Sequence, residues 1–252
     1  AGTIVIASQG QPFGGKDLRA ILENTASETG IRVYGAATGM THKGIDLGSS
    51  RIMVLERPSV AMLADAGSNS GDAGEIWHLL DARFGIPVTL IPASRFSATD
   101  LNRYNVIIIT GSPDIGQAGV ENLRAWNRRG NTIIGYETGN NWLARNKLAE
   151  IEFVPETADK RKEGIYTNRA NDRQARQIPG SIFQVRLDLT HPLCFGYTRP
   201  LLPVFKSTTS VAVMDQDIYS NPAVYTSDPL LSGYCTPNNI ERIKNSPFAS
   251  VH

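Results

Sequence analysis

The chain has 252 residues, with 25 Lys and Arg against 24 Asp and Glu for a formal net charge of +1, and 41% of it is apolar, the profile of an ordinary folded protein rather than a disordered or coiled-coil one. So even a balance supplies no basic face for the phosphate contacts that dominate nucleic-acid affinity, and no polybasic run for an anionic membrane surface. No apolar run reaches the roughly 20 residues that cross a bilayer, so nucleic acid and membrane insertion are set aside. The opening AGTIVIASQG has neither the basic nor the apolar region of a signal peptide. It starts almost on a strand, as a processed or excised chain would.

Short apolar runs alternate with amphipathic stretches through the first 150 residues, which predicts parallel strands joined by crossover helices. The run TIVIA predicts a strand over 3–7, followed by a helix over 16–29 with Leu18, Ile21 and Leu22 on one face, and a second strand over 31–34. The glycine-rich stretch 35–50 reads as a loop. Strands follow in RIMVLE (51–56) and SVAMLAD (59–65), the latter running into the turn-prone AGSNSGDAG. The helix GEIWHLLDARFG (74–85) places Ile76, Leu80 and Phe84 on one face. The strands PVTLIPA and VIIIT come next. A helix over 117–129 then ends at Gly130 with Arg128 and Arg129 in its last turn, where cations complement the helix dipole.

The strand 132–136 runs into Gly135-Tyr136-Glu137-Thr138-Gly139, the spacing of a nucleophile elbow, which lifts one side chain above the carboxyl edge of a parallel sheet. The side chain in that position is a carboxylate. With Ser68 to Asp72 and Gly111 to Asp114 at the same edge, this is where α/β sheets bind ligands, and Ser112, Glu137, Asn140 and Asp72 are the candidate crevice residues, with His191 added from the later motif. The expected fold is α/β, a largely parallel sheet with helices on both faces, followed by a β-rich C-terminal section.

Residues 155–177 are charged, with Lys160, Arg161, Lys162, Arg169, Arg173 and Arg176 among interspersed acids, and read as a solvated excursion. Beyond them SIFQVRLDL and SVAVM predict strands, and frequent prolines with Tyr197, Tyr219 and Tyr225 mark a loop-rich, β-rich section. Cys194 and Cys235 allow one disulfide or two buried thiols. A chain this long does not need a staple.

Three chemistries bear on these residues. Acyl transfer of the amidotransferase kind needs an elbow cysteine activated by a histidine that a carboxylate orients. Here Glu137 stands at the elbow, and His191-Pro192-Leu193 has a leucine where such enzymes carry the acid. His191 reads more simply as a loop-capping histidine. Zinc hydrolysis needs a His-x-x-Glu pair and a further ligand; none of the four histidines begins one, and His78-Leu79-Leu80-Asp81 is only an imitation. Anion binding at Gly67, Gly71 and Gly74 lacks the P-loop ending, and Asp72 or Ser70 as a helix cap accounts for the loop.

The runs VAMLADAGSNSGDAGEIWHLLDARFGIPVTLI, LNRYNVIIITGS and NTIIGYETGNNW, with THPLCFGY and DPLLSGY later, resemble the C-terminal class I glutamine-amidotransferase-like region of secreted bacterial zinc carboxypeptidases of the carboxypeptidase A type. GTIVIA and TGIRVYGAATGMTHKGIDLGSSRIMVLERP are similar to the stretch that joins that region to the peptidase module. The resemblance implies a flavodoxin-like fold over 58–252, with 1–57 a small α/β segment linking to a peptidase module outside this sequence. It implies a secreted or periplasmic setting, zinc only in that module, and the module as partner. It carries over Glu137 and the degenerate His191, and no zinc ligand. Such proteins continue past this point with another strand-forming segment, where this chain stops at SPFASVH. The resulting expectation is a non-catalytic accessory (pseudoenzyme) domain of a metallocarboxypeptidase-like protein whose parent activity is proteolysis, the hydrolysis of C-terminal residues from peptides. The alternatives are a domain that binds a small polar ligand at Glu137, and a hydrolase using Glu137 as base or nucleophile.

Overall fold

All four residues of Val60–Leu63 are buried, which a strand achieves only when both of its faces are covered. In the computed structural model, which describes residues 3–12, 14–64, 67–155, 165–169 and 175–252, this strand (β1) lies inside a four-stranded sheet with β2 (Val88–Ile91), β3 (Val106–Ile109) and β4 (Thr132–Gly135). The spatial order is β2-β1-β3-β4 and every pair is parallel.

Side-chain alternation along the strands divides the core in two. Ala61, Leu63, Ile91, Ile107 and Ile109 pack with Val120, Leu123 and Trp126 of α3 (Gly116–Asn127) and with Trp142 and Leu143 of α4 (Thr138–Arg145). Val60, Met62, Val88 and Ile108 pack with Ala73, Ile76 and Leu80 of α2 (Ser70–Trp77) and its continuation. Helices therefore cover both faces, as the alternating pattern predicts. Trp126 is fully buried, and its indole N–H donates to the carbonyls of Leu101 (2.8 Å) and Tyr104 (3.2 Å), so its polar edge is satisfied inside the core.

α2 starts four residues before the predicted helix. The Asn69 side chain accepts from the backbone N–H of Gly71 (3.1 Å) and Asp72 (3.5 Å), capping the helix at 70 and absorbing the turn-prone glycines. A π-helical turn at His78–Arg83 follows. Its wider winding moves Phe84 off the buried stripe, leaving it 66% exposed.

The C-terminal half forms an antiparallel sheet in the order β6-β5-β7-β8, built from β5 (Ser181–Leu187), β6 (Leu201–Lys206), β7 (Ala223–Ser232) and β8 (Pro247–Ala249). Its core takes Phe183, Val185 and Leu187 from one face of β5, with Tyr225, Ile243 of α5 (Pro237–Ile243), and Cys194 and Cys235, both buried free thiols. The predicted strand SVAVM is only a single antiparallel bridge, Ala212 to Phe153.

The chain divides into two compact units, Ala1–Arg57 and Pro58–His252, and the sheets just described belong to the second. In the first, the predicted helix forms as α1 (Gly15–Thr29), closed by Gly30 in the left-handed conformation. Three predicted strands do not form. Residues 3–7, 31–34 and 51–56 have no ladder partner, and Ile4, Ile31, Tyr34, Met53, Val54 and Leu55 are exposed. A β-branched run becomes a strand only against a neighbour. Of the charged excursion, Lys160, Arg161, Lys162 and Arg173 lie outside the described residues, and Arg169 stacks on Tyr166.

Two glycines give opposite expectations. A Cβ on Gly139 would run into the Ile109 carbonyl, whereas a Cβ on Gly74, inside α2, meets nothing within 4 Å. Gly139→Ala should lower stability in urea unfolding by about 2–3 kcal/mol. Gly74→Ala should raise it by about 0.5–1 kcal/mol.

Candidate functional site

Strand order reverses at β1, from which the chain runs out to β2 and then back to β3, the place where the loops of an α/β sheet commonly part to form a ligand crevice. Here those loops are stitched together. The Ser112 N–H donates to the Gly67 carbonyl (2.6 Å), the Asn69 N–H to the Thr110 carbonyl (3.3 Å), and Ser68 bridges Gly111. The crossing is close enough that a Cβ on Gly111 would overlap the Gly67 carbonyl.

β4 enters the site through the elbow. The Tyr136 N–H donates to the Ile109 carbonyl (2.9 Å), which holds the strand end against β3. The Gly139 and Asn140 N–H groups then donate to the carbonyls of Tyr136 (2.8 Å) and Glu137 (3.1 Å). Between these constraints Glu137 sits at φ 46, ψ −111, in the left-handed half of backbone space where a side chain is strained. That is the backbone signature of a nucleophile elbow, occupied by a carboxylate.

The antiparallel sheet supplies the surroundings of that carboxylate. The Ser207 hydroxyl hydrogen-bonds Glu137, and Lys206 at the end of β6 faces it. Burial pushes the Glu137 carboxyl above its ordinary range; Asp72 adds to the rise, while Lys206 and Ser207 oppose it. Asp72, in the first turn of α2, is likewise raised by burial and by Glu75. Tyr136 and Tyr225 are both pushed up, by burial first and then by Glu137. Lys206 is 9% exposed, and burial lowers it to about 8 against the pull of Glu137. Its ammonium donates to the Ser210 carbonyl (2.7 Å) and Thr208 Oγ1 (3.3 Å). Asn141 of α4 bonds the Ser210 hydroxyl (3.3 Å), tying the helix to the same segment. Two polar atoms at the crossing, Asp72 Oδ2 and Thr110 Oγ1, are buried with no hydrogen-bond partner among the described residues.

Of the five candidate residues, Asp72 and Glu137 are brought into one electrostatic cluster. Asn140 stays in the turn, its amide against Gly135, and the exposed Ser112 hydroxyl accepts from Arg145 (2.7 Å). His191 goes elsewhere. Lys206 pairs with Ser181 at the start of β5, whereas His191 follows the other end of that strand, about 20 Å away at ~3.3 Å per residue; there its Nδ1 accepts from the Leu193 N–H. Lys206 and Ser207 were missed, because a lysine ending a short strand carries no signal of burial. Asp81 of the His78 pair accepts from the Val88 N–H (3.2 Å). Among the described residues no three His, Cys, Asp or Glu side chains converge as metal ligands, so the donor set for zinc is not met there. No described helix is long and apolar enough to cross a membrane.

No known family model and no curated protein matches the chain. Among solved structures it is similar to a ThuA-like protein from Bacteroides uniformis, at 12% identity and a TM-score of 0.35, covering 65% of this chain and spanning 64% of that one. A likeness that faint adds nothing to strand order and elbow geometry, which define an α/β sheet of flavodoxin-like order with an elbow.

The buried lysine has a measurable consequence. Its folded pKa lies below the unfolded value, so between about pH 8 and 10.5 the unfolded chain binds more protons and stability rises with pH. Relative to Lys206→Met, the wild type should gain about 2 kcal/mol in urea unfolding between pH 7 and 9.5.

Proposed function

We propose that this chain is a non-catalytic, amidotransferase-like accessory domain of a secreted or periplasmic zinc metallocarboxypeptidase-like protein, acting beside a peptidase module of the same polypeptide. The observation that carries the non-catalytic part is the engagement of the elbow. Its side chain is a carboxylate hydrogen-bonded by Ser207 and in the electrostatic field of Lys206, and the sole histidine of the amidotransferase-like motif caps a turn at the far end of the other sheet. The elbow position itself carries no thiol, and among the described residues no histidine is placed to activate one; the Cys235 thiol near Lys206 is buried and pushed up by that burial, so the acyl-transfer triad lacks its nucleophile and base at the elbow. The parent activity, removal of C-terminal residues from peptides, rests on the sequence resemblance alone, as does zinc in the peptidase module.

Purified chain supplied with zinc should release no C-terminal amino acid from peptides and no ammonia from glutamine. Glu137→Cys should also stay inactive on glutamine, since a thiol alone lacks its base. Chelator-sensitive release of C-terminal residues by the purified chain would overturn the proposal.

A second reading is favoured by the buried Asp72 Oδ2, which has no hydrogen-bond partner among the described residues, since such an atom costs about 1–3 kcal/mol unless something satisfies it. With Glu75 and Glu137 nearby, the crevice suits a small polar or cationic ligand. In that case amines should raise the melting temperature of the wild type, and Asp72→Asn and Glu137→Ala should each abolish the shift. Responses unchanged in both variants would dismiss it.

A further inference from the structure

α3 and α4 end side by side, and between their C-terminal ends lies a groove of about 530 Å³ lined by Glu121, Arg124, Arg128, Arg145, Asn146 and Lys147 among others. Its size is within the range of small-molecule sites. Four of these residues are cations, and Glu121 is the one lining carboxylate.

The cations fall into two groups. Arg124 is spent on structure, paired with Glu121 and donating to the Asn146 carbonyl (2.6 Å), which joins the two helix ends. Arg145 is fixed without being neutralised, because its partners, Ser112 Oγ (2.7 Å) and the Asn141 carbonyl (3.3 Å), are uncharged. Arg128 and Lys147 are exposed. Among the described residues no ion pair forms at Arg128, Arg145 or Lys147, although Glu121 also acts on Arg128 through space. The two helix C-termini oppose them with about half a negative charge each, leaving roughly two positive charges in one groove of a chain whose whole net charge is +1.

Lys147 adds an independent observation. It follows the C-cap of α4 at φ 53, the left-handed position that ends helices and that glycine fills without strain. A lysine there holds a strained backbone, and it lines the groove.

We propose that this groove binds a small multivalent oxyanion, with the guanidinium groups of Arg128 and Arg145 and the ammonium of Lys147 as its contacts. A pre-positioned Arg145 fork matches phosphate or carboxylate geometry, and Lys147 adds a mobile point charge. The site lies at the other end of α4 from Glu137, linked to the crevice residues through the Arg145–Ser112 hydrogen bond, and is independent of the proposed function.

Calorimetric titration of the whole chain at low salt, with pyrophosphate and with citrate as probes against sodium chloride of equal ionic strength, tests it. Saturable binding of at least one probe is expected, weakening as salt rises, and falling about tenfold or more in the Arg128→Gln, Lys147→Gln double variant. Citrate binding alone would support the site with carboxylates as the recognised groups. Lys147→Gly separates binding from folding, since relief of the left-handed lysine should raise the urea midpoint while the affinity drops. Absence of saturable binding of both probes, or a double variant that binds as tightly as wild type, would overturn the proposal.

Discussion

The approach of the α4 N-terminus to the Ile109 carbonyl constrains the rest of the molecule. Gly139 lies so near that carbonyl that a methyl group has no room, and the Tyr136 N–H already donates to it. With both flanks of the turn fixed on β3, the residue between them takes up the strain. Glu137 at φ 46, ψ −111 is a state that costs about 1–3 kcal/mol and persists only where its surroundings over-determine it. The same turn projects the side chain off the carboxyl edge of the parallel sheet, toward Lys206 and Ser207 of the antiparallel one.

The field of Glu137 favours the charged form of Lys206, a lysine only 9% exposed. Burying an ammonium costs several kcal/mol unless a counter-charge and hydrogen bonds stand ready; Glu137, the Ser210 carbonyl and Thr208 Oγ1 supply them. The elbow carboxylate thus faces the end of β6 in the antiparallel sheet. α4 also separates two fields. Glu137 and Asp72 gather at its start, while Arg145 and Lys147 follow its end, about 12 Å along at 1.5 Å per residue, each sign set to complement the helix dipole.

Elements with their own pattern and a neighbour to pair with were legible in the sequence. VAML, VTLI, VIII and TIIG became parallel strands because their buried residues pack against the apolar stripes of neighbouring helices, most fully in the inner strands VAML and VIII, and the elbow was visible as two glycines around one central residue. Strand-like runs in the first 57 residues misled, because TIVIA, IRVY and RIMVLE have the composition of strands without partners. The π-helical turn after Trp77 left no compositional mark, so Phe84 was assigned to the wrong face. At the site, Asp72 and Glu137 were found from the loops that must share one sheet edge. Lys206 was not, since its burial depends on the register of β6 against β5, a pairing across 25 residues between Ser181 and Lys206 that no local pattern encodes. His191 was drawn in by its motif, and the strand running the other way carried it off.

A double-mutant cycle between Glu137→Gln and Lys206→Met, read by urea unfolding at pH 7, tests most directly whether the elbow carboxylate serves as the junction between the sheets. A coupling energy of about 1–3 kcal/mol is predicted. Single-variant effects that add to within about 0.3 kcal/mol would contradict the account and leave Glu137 a carboxylate awaiting another partner.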